Sequence, residues 1–421
     1  MDRHHFRSLV SCPRKAFSRP FWRTVARVVC VGLCLAGLYF GGAVVASAAD
    51  QTVVFQGVIP LPDRATDADG TPVEITGLSG VAWLGDDRYV AVMDNSHYLL
   101  LFRLSLSQTG KPLGVESLSL VKLSQRHDYE DLVPCPAAVA AGLRVDRRQV
   151  GSGVITDQGG REPEQFVLVC EEDTPAVRAF SLADGSMFGA VELPENLLTR
   201  RPNRGLESLA IEPDGRSLWT ANEEALPADG PTAAAGSGTV VRLTRLLLPC
   251  DGQDTRATAA FQAAYRVDPV HSFVRVFAGQ PLSGLAALVA LGNGRLLALE
   301  RSGAPGLPPF ASRIYSIDTA AAVDVSAVAE DLASRKGVVV DKRLLWTDSL
   351  GINIEGLCLG PVLADGNRGL IAIADNGGIG TPNQLVGLAL VPPAPAVRPA
   401  VLGAVAGLLA IALAVGRLTS P

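Results

Sequence analysis

Apolar and polar positions along this chain alternate in short, paired runs. The clearest pair is GLESLAIEPDGRSLWTANEE, Gly205 to Glu224. Leu206, Leu209 and Ile211 form the first run, and Leu218 and Trp219 open the second. Between them PDGR, Pro213 to Arg216, supplies a proline that fixes φ and a glycine that tolerates positive φ. The pattern predicts two antiparallel strands joined by a tight turn. Such pairing brings Glu207, near the start of one strand, and Glu223, at the end of the other, to the same sheet edge.

The same order of elements recurs. GLSGVAWLGDDRYVAVMDN begins at Gly77, YEDLVPC at Tyr129 is followed after an insertion by QFVLVCEED, PLSGLAALVALGNGRLLALER begins at Pro281, and NIEGLCLGPVLADGNRGLIAIADN begins at Asn353. Each reads as a small polar or acidic residue, a strand, a DD, DG or NG turn, a second strand and an acid. Ser79, Glu130, Glu207, Ser283 and Glu355 mark the phase, at steps of about 50 to 80 residues. All-β repeats of this size predict a β-propeller, read as six blades within a range of five to seven. Ala321 to Lys336 breaks the pattern, with Val325, Val328 and Leu332 at helical spacing, and predicts a helix.

The ends of the chain read differently. Met1 to Arg27 carries six Arg and one Lys against one Asp, and an apolar run from Val28 to Ala46 leads into ASAAD. This describes a signal peptide or an uncleaved signal anchor over residues 1–49, and either exports the rest of the chain. Residues 50–391 form the propeller domain and 392–399 a stiff Pro/Ala-rich linker. Residues 400–416 are apolar and without charge, which reads as a C-terminal transmembrane or sorting segment. The expected location is the periplasm or cell envelope, with the chain membrane-anchored and monomeric.

Composition narrows the function. Net charge is −5, and no basic stripe with interleaved aromatics is present, which argues against nucleic acid. The exported part holds Cys135, Cys170, Cys250 and Cys358, enough for two disulfides or for four buried thiols. No CxxC pair suggests structural zinc. G-x-S-x-G, H-E-x-x-H and the P-loop are absent, and only His97, His127 and His271 lie in the exported part. Three insertions, Ala137 to Pro163, Ala225 to Gly238 and Gly303 to Ser312, read as loops.

What the strand ends carry is acid: Asp94, Glu130, Asp131, Glu171, Glu172, Asp173, Glu207, Glu223, Glu224, Glu300, Glu355 and Asp375. In a propeller such positions converge on one mouth of the central channel. Two carboxylates about 5 Å apart repel by roughly 3 kcal/mol at an effective dielectric of about 20. A hard cation, protonation or arginine relieves this. Oxygen donors with little histidine favour Ca2+, with Asp94, Glu130, Glu207, Glu355 and Asp375 as candidate ligands. Arg204 and Arg301 stand near in sequence and suit an anionic substrate, and Glu207 joins them as candidate catalytic residue. Each such carboxylate has an alternative role, that of accepting hydrogen bonds between blades.

NRGLESLAIEPDGRSLWTANEE, LLALER with SRIYSID, and NIEGLCLGP with IAIADN are together similar to the phytase-like family called esterase-like activity of phytase. The resemblance runs from about Val58 to Leu390. It implies an exported propeller that hydrolyses phosphate or carboxylic esters, with a small-molecule ester or phosphate ester as partner. Ser79 and Ser283 stand where other repeats carry Glu. The competing expectation is a non-catalytic propeller that binds a ligand or protein at the cell envelope.

Overall fold

The structure, a computed structural model, describes residues 51–143, 164–249, 258–348, 350–376 and 382–393. The apolar segments at 28–46 and 400–416 lie outside these residues, as does Cys250. Among the described residues no helix is long and apolar enough to cross a membrane.

Five four-stranded antiparallel sheets form five blades, so the expectation of six is corrected to five. From the inner strand outward, blade 1 is Leu78–Gly85, Arg88–Met93, Tyr98–Leu106 and Pro112–Lys122. Blade 2 is Tyr129–Cys135, Phe166–Glu171, Ala176–Ser181 and Met187–Val191. Blade 3 is Leu206–Ile211, Ser217–Asn222, Val240–Leu247 and Thr258–Arg266. Blade 4 is Leu282–Gly292, Arg295–Gly303, Phe310–Asp318 and Lys342–Thr347. Blade 5 is Asn353–Val362, Arg368–Asp375 and Gln384–Val391, and its outermost strand is Thr52–Pro60 from the other end of the domain. That last pairing, Thr52 opposite Val391 through Pro60 opposite Gln384, ties the ring shut. One blade therefore uses both ends of the described domain, and the ring closes at five blades.

Local chemistry sets each hairpin. At the blade 3 turn Asp214 Oδ1 accepts from the N–H groups of Arg216 (2.8 Å) and Ser217 (2.9 Å), and Gly215 adopts φ +68°. This is the Asx-type turn that PDGR encodes. Packing then joins the blades. Five apolar clusters each bridge two neighbours: Leu168 and Val177 of blade 2 meet Leu209 and Leu218 of blade 3, and Ile373 and Leu385 of blade 5 meet Tyr89 and Leu100 of blade 1. Trp219 is fully buried between blades 3 and 4.

Ala321 to Lys336 is not helical apart from one short turn, Leu332–Ser334. Arg242, fully buried in blade 3, takes the carbonyl oxygens of Val325 (3.0 Å) and Val328 (2.7 Å) that a helix would need for itself. Val325 and Leu332 bury against Val240 and Ala264 instead. The insertion after blade 2's inner strand begins with a seven-residue helix, Ala137–Leu143, where a loop was expected. The segment Gly303 to Ser312 is largely strand: its Gly306–Leu307 pairs with Val274–Arg275. Cys135, Cys170 and Cys358 are free thiols; the first two are buried, and Cys358 is only partly so.

Candidate active site at the acidic mouth

The inner strands place matching triplets around the channel: Val81–Trp83, Leu132–Pro134, Leu209–Ile211, Leu288–Ala290 and Leu357–Leu359. These triplets line the channel with apolar groups. Counting back two residues from each triplet gives the ring position at the mouth: Ser79, Glu130, Glu207, Ala286 and Glu355. The fourth is Ala286 and not Ser283, because the bulge in blade 4's inner strand falls between Leu285 and Ala287. Ser283 pairs with Ser302 and is buried.

The second strand of each blade contributes one further residue at the mouth. Register equates Asp94, Glu172, Glu223, Arg301 and Asp375, which stand opposite Gly77, Asp128, Gly205, Gly284 and Asn353 or continue those pairs. Alternation along a strand sends the neighbour elsewhere. Glu171 faces Arg178 (Nη2 to Oε1, 3.1 Å), and Glu300 takes Tyr265 Oη (2.6 Å) and Lys342 Nζ (2.5 Å). Asp131 accepts from the N–H of Leu132 and of Leu209, both at 2.8 Å, and so links blade 2 to blade 3. Glu224 turns to Arg204, its oxygen 3.8 Å from Nε.

A cavity of about 190 Å³ at the mouth is lined by eight carboxylates, Asp94, Asp128, Glu130, Glu172, Glu207, Glu223, Glu355 and Asp375, and by two guanidinium groups, Arg204 and Arg301. All five candidate metal ligands and all three candidate catalytic residues of the sequence analysis thus line one cavity. Their partners divide them. Arg301 Nη1 donates to Glu355 Oε1 (2.9 Å) and Asn353 Oδ1 (3.3 Å), and Nη2 to Glu223 Oε1 (2.9 Å), with Glu207 Oε1 at 3.9 Å. Arg204 Nη1 lies 3.1 Å from Glu223 Oε2 and keeps 28 % of its side chain exposed, against 13 % for Arg301. Glu172 Oε1 accepts from Gly205 N (2.8 Å) and Asp375 Oδ1 from Gly77 N (3.0 Å). Ser79 Oγ donates to Glu130 Oε2 (2.9 Å). Asp94, Asp128 and Glu130 each offer an oxygen within 4.8 Å of the other two.

Burial and like charge raise the acids. Burial, then Asp128, pushes Asp94 up to about 9. Burial and neighbouring carboxylates hold Glu130 and Glu207 well above the usual range. Burial pushes Glu172 and Glu355 up to about 7, and Arg301 works against the rise at Glu355. For Arg301, burial alone would lower the guanidinium, but Glu355, Glu223 and Glu207 outweigh it and keep it charged. The donor set Asp94, Asp128 and Glu130 is all oxygen and fits a hard cation such as Ca2+.

Asp128 was missed by the sequence analysis. Its signal was the run HDYED, in which Asp128 and Glu130 are two apart and so belong to one strand face. A Ser–His contact also exists, Ser302 Oγ to His271 Nδ1 at 2.8 Å, but both residues are buried and Nε2 donates to Pro308 O (2.9 Å). It offers no exposed nucleophile.

Among solved structures, the chain is similar to an endo-arabinase from Bacteroides thetaiotaomicron (10 % identity, 76 % of this chain and 94 % of that one, TM-score 0.38). It is also similar to the PQQ-bound aldose sugar dehydrogenase from Streptomyces coelicolor (12 % identity, 79 % and 98 %, TM-score 0.32). A third is the tail fibre of Staphylococcus aureus phage P68 (8 % identity, 81 % of this chain, TM-score 0.36), of which the chain spans 53 %. At these scores the likenesses carry no functional weight. No curated protein matches the chain. The sequence signature of esterase-like activity of phytase matches residues 73–378, from just before blade 1 into the last blade. The chain belongs to the phytase-like family.

Proposed function

We propose that the acidic mouth hydrolyses a phosphate or carboxylic ester, in a chain that is exported and membrane-tethered through its apolar end segments. The observation that carries this reading is the convergence of eight carboxylates and two arginines on one small cavity, in a member of this family. A Ca2+ ion bound among the carboxylates would polarise the ester oxygen and lower the pKa of an attacking water. Arg204, the more exposed guanidinium, would receive an anionic ester group. Arg301 contributes by holding Glu223 and Glu355 in place. Glu207, buried and protonated more readily than usual, is the group that can move a proton at the reacting centre. No exposed serine or cysteine nucleophile is needed.

The test is hydrolysis of an aryl phosphate, an aryl acetate and an inositol phosphate by the purified full-length chain, with and without chelator. Turnover lost with chelator, and lost in Glu207→Gln while the far-UV circular dichroism is unchanged, supports the reading. Absence of turnover from folded protein on every ester moves the assignment to the ligand-binding propeller.

A further inference from the structure

At the mouth, Asp94, Glu172, Glu223, Arg301 and Asp375, at or beside the ends of the second strands, each reach toward the start of the next blade's inner strand. Four of the five junctions are neutralised within the protein. Glu172 meets the Gly205 N–H, and Asp375 meets the Gly77 N–H. Glu223 packs so closely on Gly284 that a Cβ there would lie 2.3 Å from Glu223 Cγ, and it is paired with Arg301. Arg301 itself meets Asn353. The junction of blades 1 and 2 is the exception, because Asp128 stands where blades 1, 3 and 4 have glycine. Here Asp94 meets another carboxylate.

We infer that this junction is a divalent-cation seat built from Asp94, Asp128 and Glu130, and that Arg301 is a fixed internal cation serving the opposite side of the ring. Two independent observations support this. The three carboxylates lie within 4.8 Å of one another, about twice a Ca–O distance of 2.4 Å. In addition, Asp94 Oδ1 and Asp128 Oδ1 are buried with no hydrogen-bond donor from any other residue, and Asp128 is only 8 % exposed. A buried polar atom left without a partner carries a large desolvation cost, which a cation removes. None of the three forms an ion pair among the described residues, whereas Glu207, Glu223 and Glu355 all lie within 4 Å of Arg301. The seat thus narrows the five-residue ligand set of the sequence analysis to Asp94 and Glu130 and adds Asp128. The ion would be of Ca2+ size, with water completing its coordination. This inference deepens the hydrolase reading and rests on the same cavity.

The experiment is calorimetric titration of full-length, chelator-treated protein with CaCl2, and separately with MgCl2. The expected result is one Ca2+ per chain, at least tenfold weaker Mg2+, and at least a tenfold loss of Ca2+ affinity in Asp128→Asn. Glu207→Gln and Glu355→Gln should stay within threefold of the parent. If Asp128→Asn does not fold by circular dichroism, Asp94→Asn, whose side chain is half-buried, takes its place with the same expectation. Absence of Ca2+ binding at millimolar concentration, or an equal loss in the Glu355→Gln protein, overturns the inference. The readout is independent of catalysis: Ca2+ binding without ester turnover would sink the hydrolase reading and leave the seat standing.

Discussion

Arg301 Nη2 lies 2.9 Å from Glu223 Oε1, joining the second strands of blades 4 and 3 across the mouth. By register Arg301 occupies the position that Asp94, Glu172, Glu223 and Asp375 hold in the other blades. One basic residue in an otherwise acidic ring therefore supports three carboxylates at once. Arg301→Met leaves Glu223, Glu207 and Glu355 without that charge. Removing one partner of a buried pair costs about 3 to 5 kcal/mol. Denaturant unfolding should show a loss of that size. A change below about 1 kcal/mol would contradict the role assigned to Arg301.

Stability should also depend on pH in an unusual direction. Burial raises Glu172, Glu224 and Glu355 to about 7, from a value of 4.5 when unfolded. Between about pH 4.5 and 7 the folded state then binds more protons than the unfolded state, so these groups lower stability as pH rises. Below that window both states are protonated, and above it both are ionised. Thermal melting in chelator should fall across this range and go on falling toward pH 9, because Asp94, pushed up to about 9, keeps its proton there in the folded state only. Ca2+ should flatten the part of the decline that Asp94 carries, since a cation at Asp94, Asp128 and Glu130 replaces that proton. A rise in melting temperature from pH 5 to 7 in chelator would refute the assignment.

Arg242 and Asp229 make a second buried pair, away from the mouth, with two contacts of 2.6 Å. Both residues are fully buried. Arg242 also holds Val325 O and Val328 O, so it clamps the 325–332 excursion and the segment around Asp229 onto blade 3. Arg242→Ala should destabilise by about 3 to 5 kcal/mol. Hydrogen exchange should quicken in residues 325–332 and 225–239 first. Uniform exchange changes across all blades would argue against a local clamp.

The Ser302–His271 contact gives a clean negative control. Ser302 Oγ also lies 3.0 Å from Leu282 O, and His271 Nε2 is committed to Pro308 O. Ser302→Ala should cost about 1 kcal/mol of stability and leave any ester hydrolysis unchanged. Hydrolysis abolished in this variant with the fold intact would make Ser302 a nucleophile and displace the acidic-mouth mechanism.

Much of this protein was readable along the chain because strands and tight turns are local. Gly205 to Glu224 forms the predicted hairpin, with Leu206 opposite Asn222 and the Asp214 turn between. Period-two alternation and turn chemistry act over a few residues, so they survive without knowledge of the rest. For the same reason the acids at the strand ends were found; Asp94, Glu130, Glu172, Glu207, Glu223, Glu355 and Asp375 line one mouth, while Asp131, Glu171, Glu224 and Glu300 turn to other partners.

What the linear order could not decide was closure, register and partnership. The blade number depended on Thr52–Pro60 pairing with Gln384–Val391, a contact between the two ends of the domain. A bulge placed Ala286 and not Ser283 on the ring, because one extra residue shifts which side chains face the channel. Residue type alone made Glu171 and Glu172, or Glu300 and Arg301, interchangeable candidates, and the sheet selected the second of each pair. Asp128 gained its importance only when blade 2 brought it against Asp94. Sequence alone determined where acids sit on strands, since that is a short-range property. Tertiary structure decided which acids meet arginine, which meet a backbone N–H, and which meet only each other, since burial and electrostatics are set by neighbours distant in the chain.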